Sequence, residues 1–400
     1  MRVFSRRLII AVAGSALAIA AEMPAVGSAP AAQASASSGW RLVKQFGTCG
    51  SSFGVQSVTA TGAGNAWATG DFSLFFPKSG ECSPVGLLIA HWDGRSWQDM
   101  RPPVGFRPAA NSNSDGHAVA ALSASYVWVF ADREYFTLPV TQSFALLWQN
   151  GRWRAFRLAD EAFLSSAVAF THSSAWAFGY VRSSTTGRVA AYAARFNGRG
   201  WRAVPVPVLP QGTASPAPDN IWAVGPLASA ANQPIPRPYA LSHWTGRWHT
   251  IPFPNLGLPS GEGVFRAWVV PDGAHGAWVA GDLMNNQFEE VGGVLLHWTG
   301  HRWVDVKLPF QTRGLGPLSH DGRGALWIAS VPPTCCVALD MAHYNAGLWS
   351  VMPVTVPAGY DGATVTTMGL IPRTGSVWAG GYLFAGTNGD MFSAMLKYGP

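Results

Sequence analysis

Charge is scarce in this 400-residue chain: Asp, Glu, Lys and Arg together make up 12% of it, against 48% hydrophobic residues. Such a chain has ample apolar surface to bury, which confines disorder to its ends. No cluster of Lys or Arg stands out, so the sequence argues against a nucleic-acid partner. Catalytic signatures are missing too. There is no Gly-x-Ser-x-Gly elbow and no Gly-rich phosphate loop set between a strand and a helix. His117, His172, His275 and His320 lack metal-ligand spacing, and no Asp-x-Asp-x-Asp-Gly run occurs, so no metal and no cofactor is expected. Only four cysteines are present, at 49, 82, 335 and 336.

Long apolar runs are missing as well, with one exception. Arg2, Arg6 and Arg7 precede a short apolar stretch over residues 8–21, and small-x-small sites follow at Ala32-Gln33-Ala34 and Ala34-Ser35-Ala36. This pattern predicts a secretory signal peptide over residues 1–36, by the general secretory or the twin-arginine route. The stretch falls short of the roughly 20 residues of a comfortable membrane span. The mature chain is therefore expected outside the cell or at its surface, as a monomer with no membrane span. Without the three Arg and one Glu of the first 36 residues, the formal charge of +6 becomes +4. In an oxidising space disulfides persist, and Cys49 is expected to pair with Cys82. Cys335 and Cys336 are left as a vicinal pair, as free thiols or with one paired elsewhere.

What the sequence does contain is repetition. A Trp-centred strand recurs seven times, around Trp67, Trp128, Trp176, Trp222, Trp278, Trp327 and Trp378. After a variable loop each copy is followed by a second motif, best seen in Ala90-His91-Trp92-Asp93-Gly94-Arg95-Ser96-Trp97. A period of about 50 residues with several strand-like pieces per unit marks a β-propeller. Each unit reads as a small, β-branched inner strand, the Trp-Ala-x-Gly strand, a third strand ending in an aromatic, a tight turn and an outer strand opened by Trp. Asp93-Gly94, Asn150-Gly151 and Asn197-Gly198 suit two-residue hairpin turns, and Asn345-Ala346-Gly347 predicts a longer one. Facing aromatics such as Trp92 and Trp97 are expected to pair across these hairpins.

The chain ends set the blade count. Residues 396–400 form a third strand and turn without an outer strand, and residues 39–44 form an outer strand without a partner. Joined, they complete a seventh four-stranded antiparallel blade and remove the sheet edges that would recruit other chains. The prediction is an all-β fold, with residues 37–400 forming a single seven-bladed β-propeller.

In such blades the second-to-third and between-blade connections share one face. That face holds nearly all the length variation, in segments 72–85, 100–116, 132–141, 226–238, 282–292 and 382–390, and all four cysteines. Variable loops on a rigid scaffold are where binding residues usually sit. Asp71, Asp132 and Asp282, which follow the Trp strand and are expected at the start of long loops, are candidate ligand-binding residues together with Tyr180 and Tyr382. The carboxylates Glu81, Glu134, Glu289, Glu290, Asp340 and Asp390, and the aromatics Phe75, Phe76, Tyr135, Phe136, Tyr239, Phe288 and Phe384, share this loop space. Of the 19 Trp residues, 18 occupy repeat positions and are assigned to the core; Trp268 alone lies outside the pattern. His91, His243, His297 and His343 precede the third-strand aromatic in four different blades and cannot converge on one metal.

The repeat resembles the tryptophan-rich propeller repeats of uncharacterised secreted actinobacterial proteins, with Val-Trp-Ala-Val-Gly and His-Trp-Asp-Gly-x-x-Trp, over essentially residues 39–400. It is more distantly similar to kelch and galactose-oxidase propellers, whose diglycine signature is absent apart from isolated pairs such as Gly380-Gly381. Asp93-Gly94-Arg95-Ser96-Trp97 is similar to the Asp-box of sialidases, which carries one more residue before its Trp, and no activity is carried over from it. The expected function is a secreted, non-catalytic binding propeller that recognises a glycan, cell-wall polymer or protein through its long-loop face. The alternative is a secreted glycosidase or polysaccharide lyase using loop carboxylates, which requires two of them about 5–10 Å apart near the ring axis.

Overall fold

The computed structural model describes residues 39–47, 54–76, 81–107, 112–135, 141–235, 237–321, 323–332, 339–385 and 390–399. The signal-peptide expectation lies outside them, as do Cys49, Cys335, Cys336 and Phe136. The side chains of Cys82, Phe75, Phe76, Glu81 and Tyr135 lie outside the described set too.

Seven four-stranded antiparallel sheets make up the fold. The chain enters on β1 (Trp40–Gln45) and then builds blade I from β2 (Val55–Gly62), β3 (Asn65–Phe76), β4 (Glu81–Trp92) and β5 (Trp97–Asp99). Blade II is β6 (Ser112–Ser123), β7 (Tyr126–Tyr135), β8 (Gln142–Gln149) and β9 (Arg152–Asp160); blade III is β10 (Ala162–Thr171), β11 (Ser174–Arg182), β12 (Val189–Phe196) and β13 (Trp201–Val204). Blade IV is β14 (Gly212–Ala217), β15 (Asn220–Pro226), β16 (Tyr239–Trp244) and β17 (Trp248–Pro252); blade V is β18 (Gly263–Asp272), β19 (Gly276–Met284), β20 (Glu290–Trp298) and β21 (Trp303–Val306). Blade VI is β22 (Gly314–His320), β23 (Leu326–Val331), β24 (Asp340–Asn345) and β25 (Leu348–Pro353). Blade VII takes β26 (Gly362–Ile371), β27 (Ser376–Ala385) and β28 (Asp390–Tyr398), and β1 completes it in the order β1-β28-β27-β26. The register Trp40↔Tyr398, Arg41↔Lys397, Leu42↔Leu396 is the closure expected from the two ends.

The repeated tryptophans join the blades. Trp128 of blade II meets Trp201 of blade III at 5.1 Å between ring centroids, and Trp176 of blade III meets Trp244 of blade IV at 5.2 Å. Trp378 of blade VII meets both Trp92 and Trp97 of blade I at 5.1 Å. Trp128, Trp176, Trp278, Trp327 and Trp378 thus pack against the aromatics that end strand three or begin strand four of the next blade, which is why both motifs recur together. Such aromatic contacts add about 0.5–1.5 kcal/mol each beyond area burial. The signature glycine has an equally local cause. A Cβ on Gly179, Gly225 or Gly381 would stand 1.9 Å from a carbonyl oxygen at the start of the adjoining inner strand (that of Phe163, Leu209 or Thr364, respectively).

The third-strand histidines are structural. His91, His243, His297 and His343 stack on Trp67, Trp222, Trp278 and Trp327 at 4.4, 3.7, 3.9 and 4.4 Å. Their Nε2 atoms reach Asn65, Asn220, Asp272 and Asp321, which lie in or beside the first hairpin of the blade. Each histidine therefore latches the third strand to that hairpin.

Two local expectations change. At Asn345-Ala346-Gly347 the turn is the short one: Asn345 pairs with Leu348, and Ala346 and Gly347 adopt φ of 48° and 88°. Asn150-Gly151 is built likewise, with φ of 49° and 82°. Asp93-Gly94 instead belongs to a wider turn between the paired Trp92 and Trp97, in which Asp93 Oδ1 accepts from the backbone N–H groups of Arg95 and Ser96. Its side chain stands in for a backbone acceptor, so only Gly94 needs positive φ, at 96°. Second, segment 72–85 is largely a continuation of β3 and β4, which stay paired as far as Phe76↔Glu81.

Candidate functional site

The inner strands of all seven blades surround a central channel of about 1360 Å³. Strict alternation along these strands is broken by bulges. Register shifts at Gln56, His117, Ser165, Phe265 and Thr366 each insert one residue at an equivalent height, near the long-loop end. A bulge re-aims side chains. Here the freed groups tie blades together: Ser165 Oγ donates to the Pro210 carbonyl at 2.8 Å, and the Thr366 hydroxyl donates to the Val55 carbonyl. The bulges follow no side-chain periodicity, so sequence reading missed them.

The five proposed site residues occupy one repeat position, four residues beyond the second-strand Trp, in blades I, II, III, V and VII. The structure divides them. Tyr180, Asp282 and Tyr382 line the channel; Asp71 and Asp132 are not among its lining residues. None of the three aspartates begins a solvated loop as expected. Each lies within its strand and is only 2–4% exposed, because β3, β7 and β19 run on past the Trp signature. Tyr239, counted with the exposed loop aromatics, is core at 5% exposure, whereas Phe288 is exposed.

Two constellations of charge stand near the long-loop mouth. In blade II, His117 Nε2 lies 3.0 Å from Asp132 Oδ2. Burial alone would lower the His117 pKa, but Asp132, Asp115 and Asp71 outweigh it and hold the pKa above the usual histidine value. In blade V, Asp282 sits opposite Arg266 in the ladder. A methyl group on Gly314 of the next blade would fall 2.5 Å from Asp282 Oδ1 and 3.6 Å from the Glu290 carboxyl carbon, so both carboxyl groups lie within 4 Å of one point. Burial, reinforced by Glu290 and opposed by Arg266, pushes the Asp282 pKa up to about 7. Its Oδ1 is buried without a hydrogen-bond partner among the described residues. A carboxyl half-protonated near neutrality, next to a second carboxylate, can donate one hydrogen bond and accept several.

Aromatic faces flank this mouth. Tyr180 stacks on Phe163 at 5.2 Å, Tyr382 meets Phe384 edge-on at 5.0 Å, and Trp268 lines the channel from β18. Trp268 is thus the one tryptophan that serves no repeat position. Among the described residues, no group of three or more His, Cys, Asp or Glu is arranged to hold a metal ion, and no helix is long and apolar enough to cross a membrane.

Neither a family model nor a curated protein matches the chain. Among solved structures it is similar to YCF48 bound to D1 peptide, at 12% identity and a TM-score of 0.53, over 90% of this chain and 94% of that one. It is also similar to a prolyl endopeptidase at 9% identity and a TM-score of 0.50, over 86% of this chain and 50% of that enzyme. A GH74 xyloglucanase from Xanthomonas campestris aligns at 16% identity with a TM-score of 0.48, over 89% of this chain and 55% of that one. At these identities the likeness establishes the propeller fold, which is found in binding proteins and hydrolases alike.

Proposed function

We propose that the chain is a secreted, non-catalytic binding propeller that recognises a glycan, wall polymer or protein at the long-loop mouth of its channel. One observation carries this reading. Arg266, Asp282 and Glu290 stand beside Tyr180, Trp268 and Tyr382 around a 1360 Å³ cavity. Charged hydrogen-bonding groups set among aromatic faces suit polar ligands with apolar patches. YCF48, a propeller with its D1 peptide bound, shows that the architecture is compatible with binding, in kind only. Glycan arrays and pull-downs with the folded chain test the reading, with Trp268→Ala and Tyr382→Ala as site variants. Capture that both variants weaken supports it. Absence of any partner, or capture indifferent to both, overturns it.

The Asp282–Glu290 pair supports a second reading, a polysaccharide-cleaving enzyme. A buried carboxyl with a raised pKa beside a second carboxyl is what general acid and base roles require. Release of new chain ends from a polysaccharide, abolished by Glu290→Gln, would establish it and displace the first.

A further inference from the structure

Beside the channel mouth, between blades III, IV and V, lies a second pocket of about 350 Å³. It shares Ser165, Tyr180, Gln211, Arg266 and Trp268 with the channel, so the two spaces adjoin. Three guanidinium side chains line it, Arg182 at the end of β11, Arg237 just before β16, and Arg266 in β18. They come from three blades in a chain in which charge of either sign is rare. Among the described residues, none of the three forms an ion pair with a carboxylate. Among the described residues Arg237 Nε is buried without an acceptor, while the rest of its guanidinium reaches the Ala231 carbonyl, at 3.4 Å from Nη1, and the Tyr239 hydroxyl.

A buried N–H of a cation without an acceptor is costly, and three guanidiniums in a concavity, with Asp282 opposite only Arg266, focus positive potential. An anion answers both. The surroundings are rigid. Gln211 Nε2 donates to the Phe265 carbonyl at 2.8 Å, and its Oε1 accepts from Ala267 N–H at 3.0 Å and the Tyr239 hydroxyl at 3.2 Å. Asn232 clamps Val189 by two hydrogen bonds, of 2.7 and 2.8 Å, fixing the outer wall. Tyr180 and Trp268 add aromatic surface, which suits the C–H face of a ring. The volume fits a unit of one or two rings.

We propose that this pocket is an anion subsite that takes the carboxylate of an acidic sugar unit in bidentate guanidinium bonds, with the neighbouring units lying over the channel mouth. The proposal rests on the binding reading above and names its ligand class as an acidic glycan.

The test is calorimetric titration of the full chain with tetragalacturonate, its methyl ester, cellotetraose, a short peptide with a free C-terminal carboxylate, and inorganic phosphate. The expected result is that tetragalacturonate binds, that the methyl ester binds at least tenfold more weakly, and that salt weakens binding. Arg182→Gln and Arg266→Gln should each lower affinity about tenfold or more, the loss of one charge-assisted bond. Both side chains are exposed, so neither change empties the core. Arg95→Gln, in an exposed turn, should bind as the parent does. Equal binding of acid and ester, indifference to the two arginine changes, or binding of only the peptide or phosphate overturns the acidic-sugar assignment. Neutral glycan or protein binding independent of the arginines would overturn it while leaving the binding reading intact; no binding of any glycan or protein would remove both.

Discussion

Replacing Asp282 by Asn should stabilise the propeller at neutral and alkaline pH and do nothing in acid. Asp282 is 4% exposed, and its pKa rises from 3.8 in the unfolded chain to about 7 in the fold. A raised carboxyl pKa means that the fold binds a proton the unfolded chain has already released. Stability contributed by the neutral acid is therefore complete below pH 4 and is lost as pH climbs to 7, at about 1.4 kcal/mol per unit. Above pH 7 the loss is constant, about 4 kcal/mol for the full shift. Asn keeps the shape and never ionises, so Asp282→Asn should match the parent at pH 4 and exceed it by about 3–4 kcal/mol at pH 8. Urea unfolding of both proteins between pH 4 and pH 8 reads the difference directly. A gap that stays flat with pH, or an Asn variant weaker than the parent at pH 8, would refute the claim that burial and Glu290 hold this carboxyl in its acid form.

Three further outcomes follow from the fold. Trp40→Ala removes a buried indole that meets Trp327 and Tyr398 at 5.6 Å each, and should cost about 3–5 kcal/mol in urea unfolding; an unchanged midpoint would mean that the closing strand contributes nothing. Gly225→Ala forces a Cβ to 1.9 Å from the Leu209 carbonyl and should destabilise by about 1–3 kcal/mol or more, whereas Gly246→Ala, with open space around it, should cost only what its φ of 92° imposes; equal effects in a thermal melt would count against the steric account. His243, pushed down to about 4 chiefly by burial, must be neutral in the fold, so its contribution is full above pH 6.5 and is lost as pH falls toward 4. His243→Gln should flatten the parent's stability slope across that window, and an unaltered slope would contradict the claim that burial holds His243 neutral.

Sequence made the scaffold legible because ring closure and blade packing are periodic demands. Trp67 and its six counterparts, the glycine three residues beyond and the facing aromatics recur because every blade meets its neighbour in the same way. The candidate site was only half legible. The position of Tyr180, Asp282 and Tyr382 can be counted from the repeat, but not which copies reach the channel. All five blades carry a bulge at the same height, so the repeat pattern does not separate the copies that line the channel from those that do not. Asp71 shows the limit: it reads as a loop carboxylate, yet β3 continues through Phe76 and buries it. Arg182, Arg237 and Arg266 share no repeat position. Only the curvature of the ring brings them to one pocket.

The clasp between β1 and β28 has a temporal consequence. Arg41 Nη1 donates to the Gly399 carbonyl, 358 positions along the chain. Emerging from a ribosome, six blades can assemble in order while β1 waits for a partner made only after all of them. Until then the first strand and the seventh blade's outer edge are both unprotected. A nascent propeller of this kind is vulnerable until β28 has emerged, and a chain broken off before that strand would never become a circle.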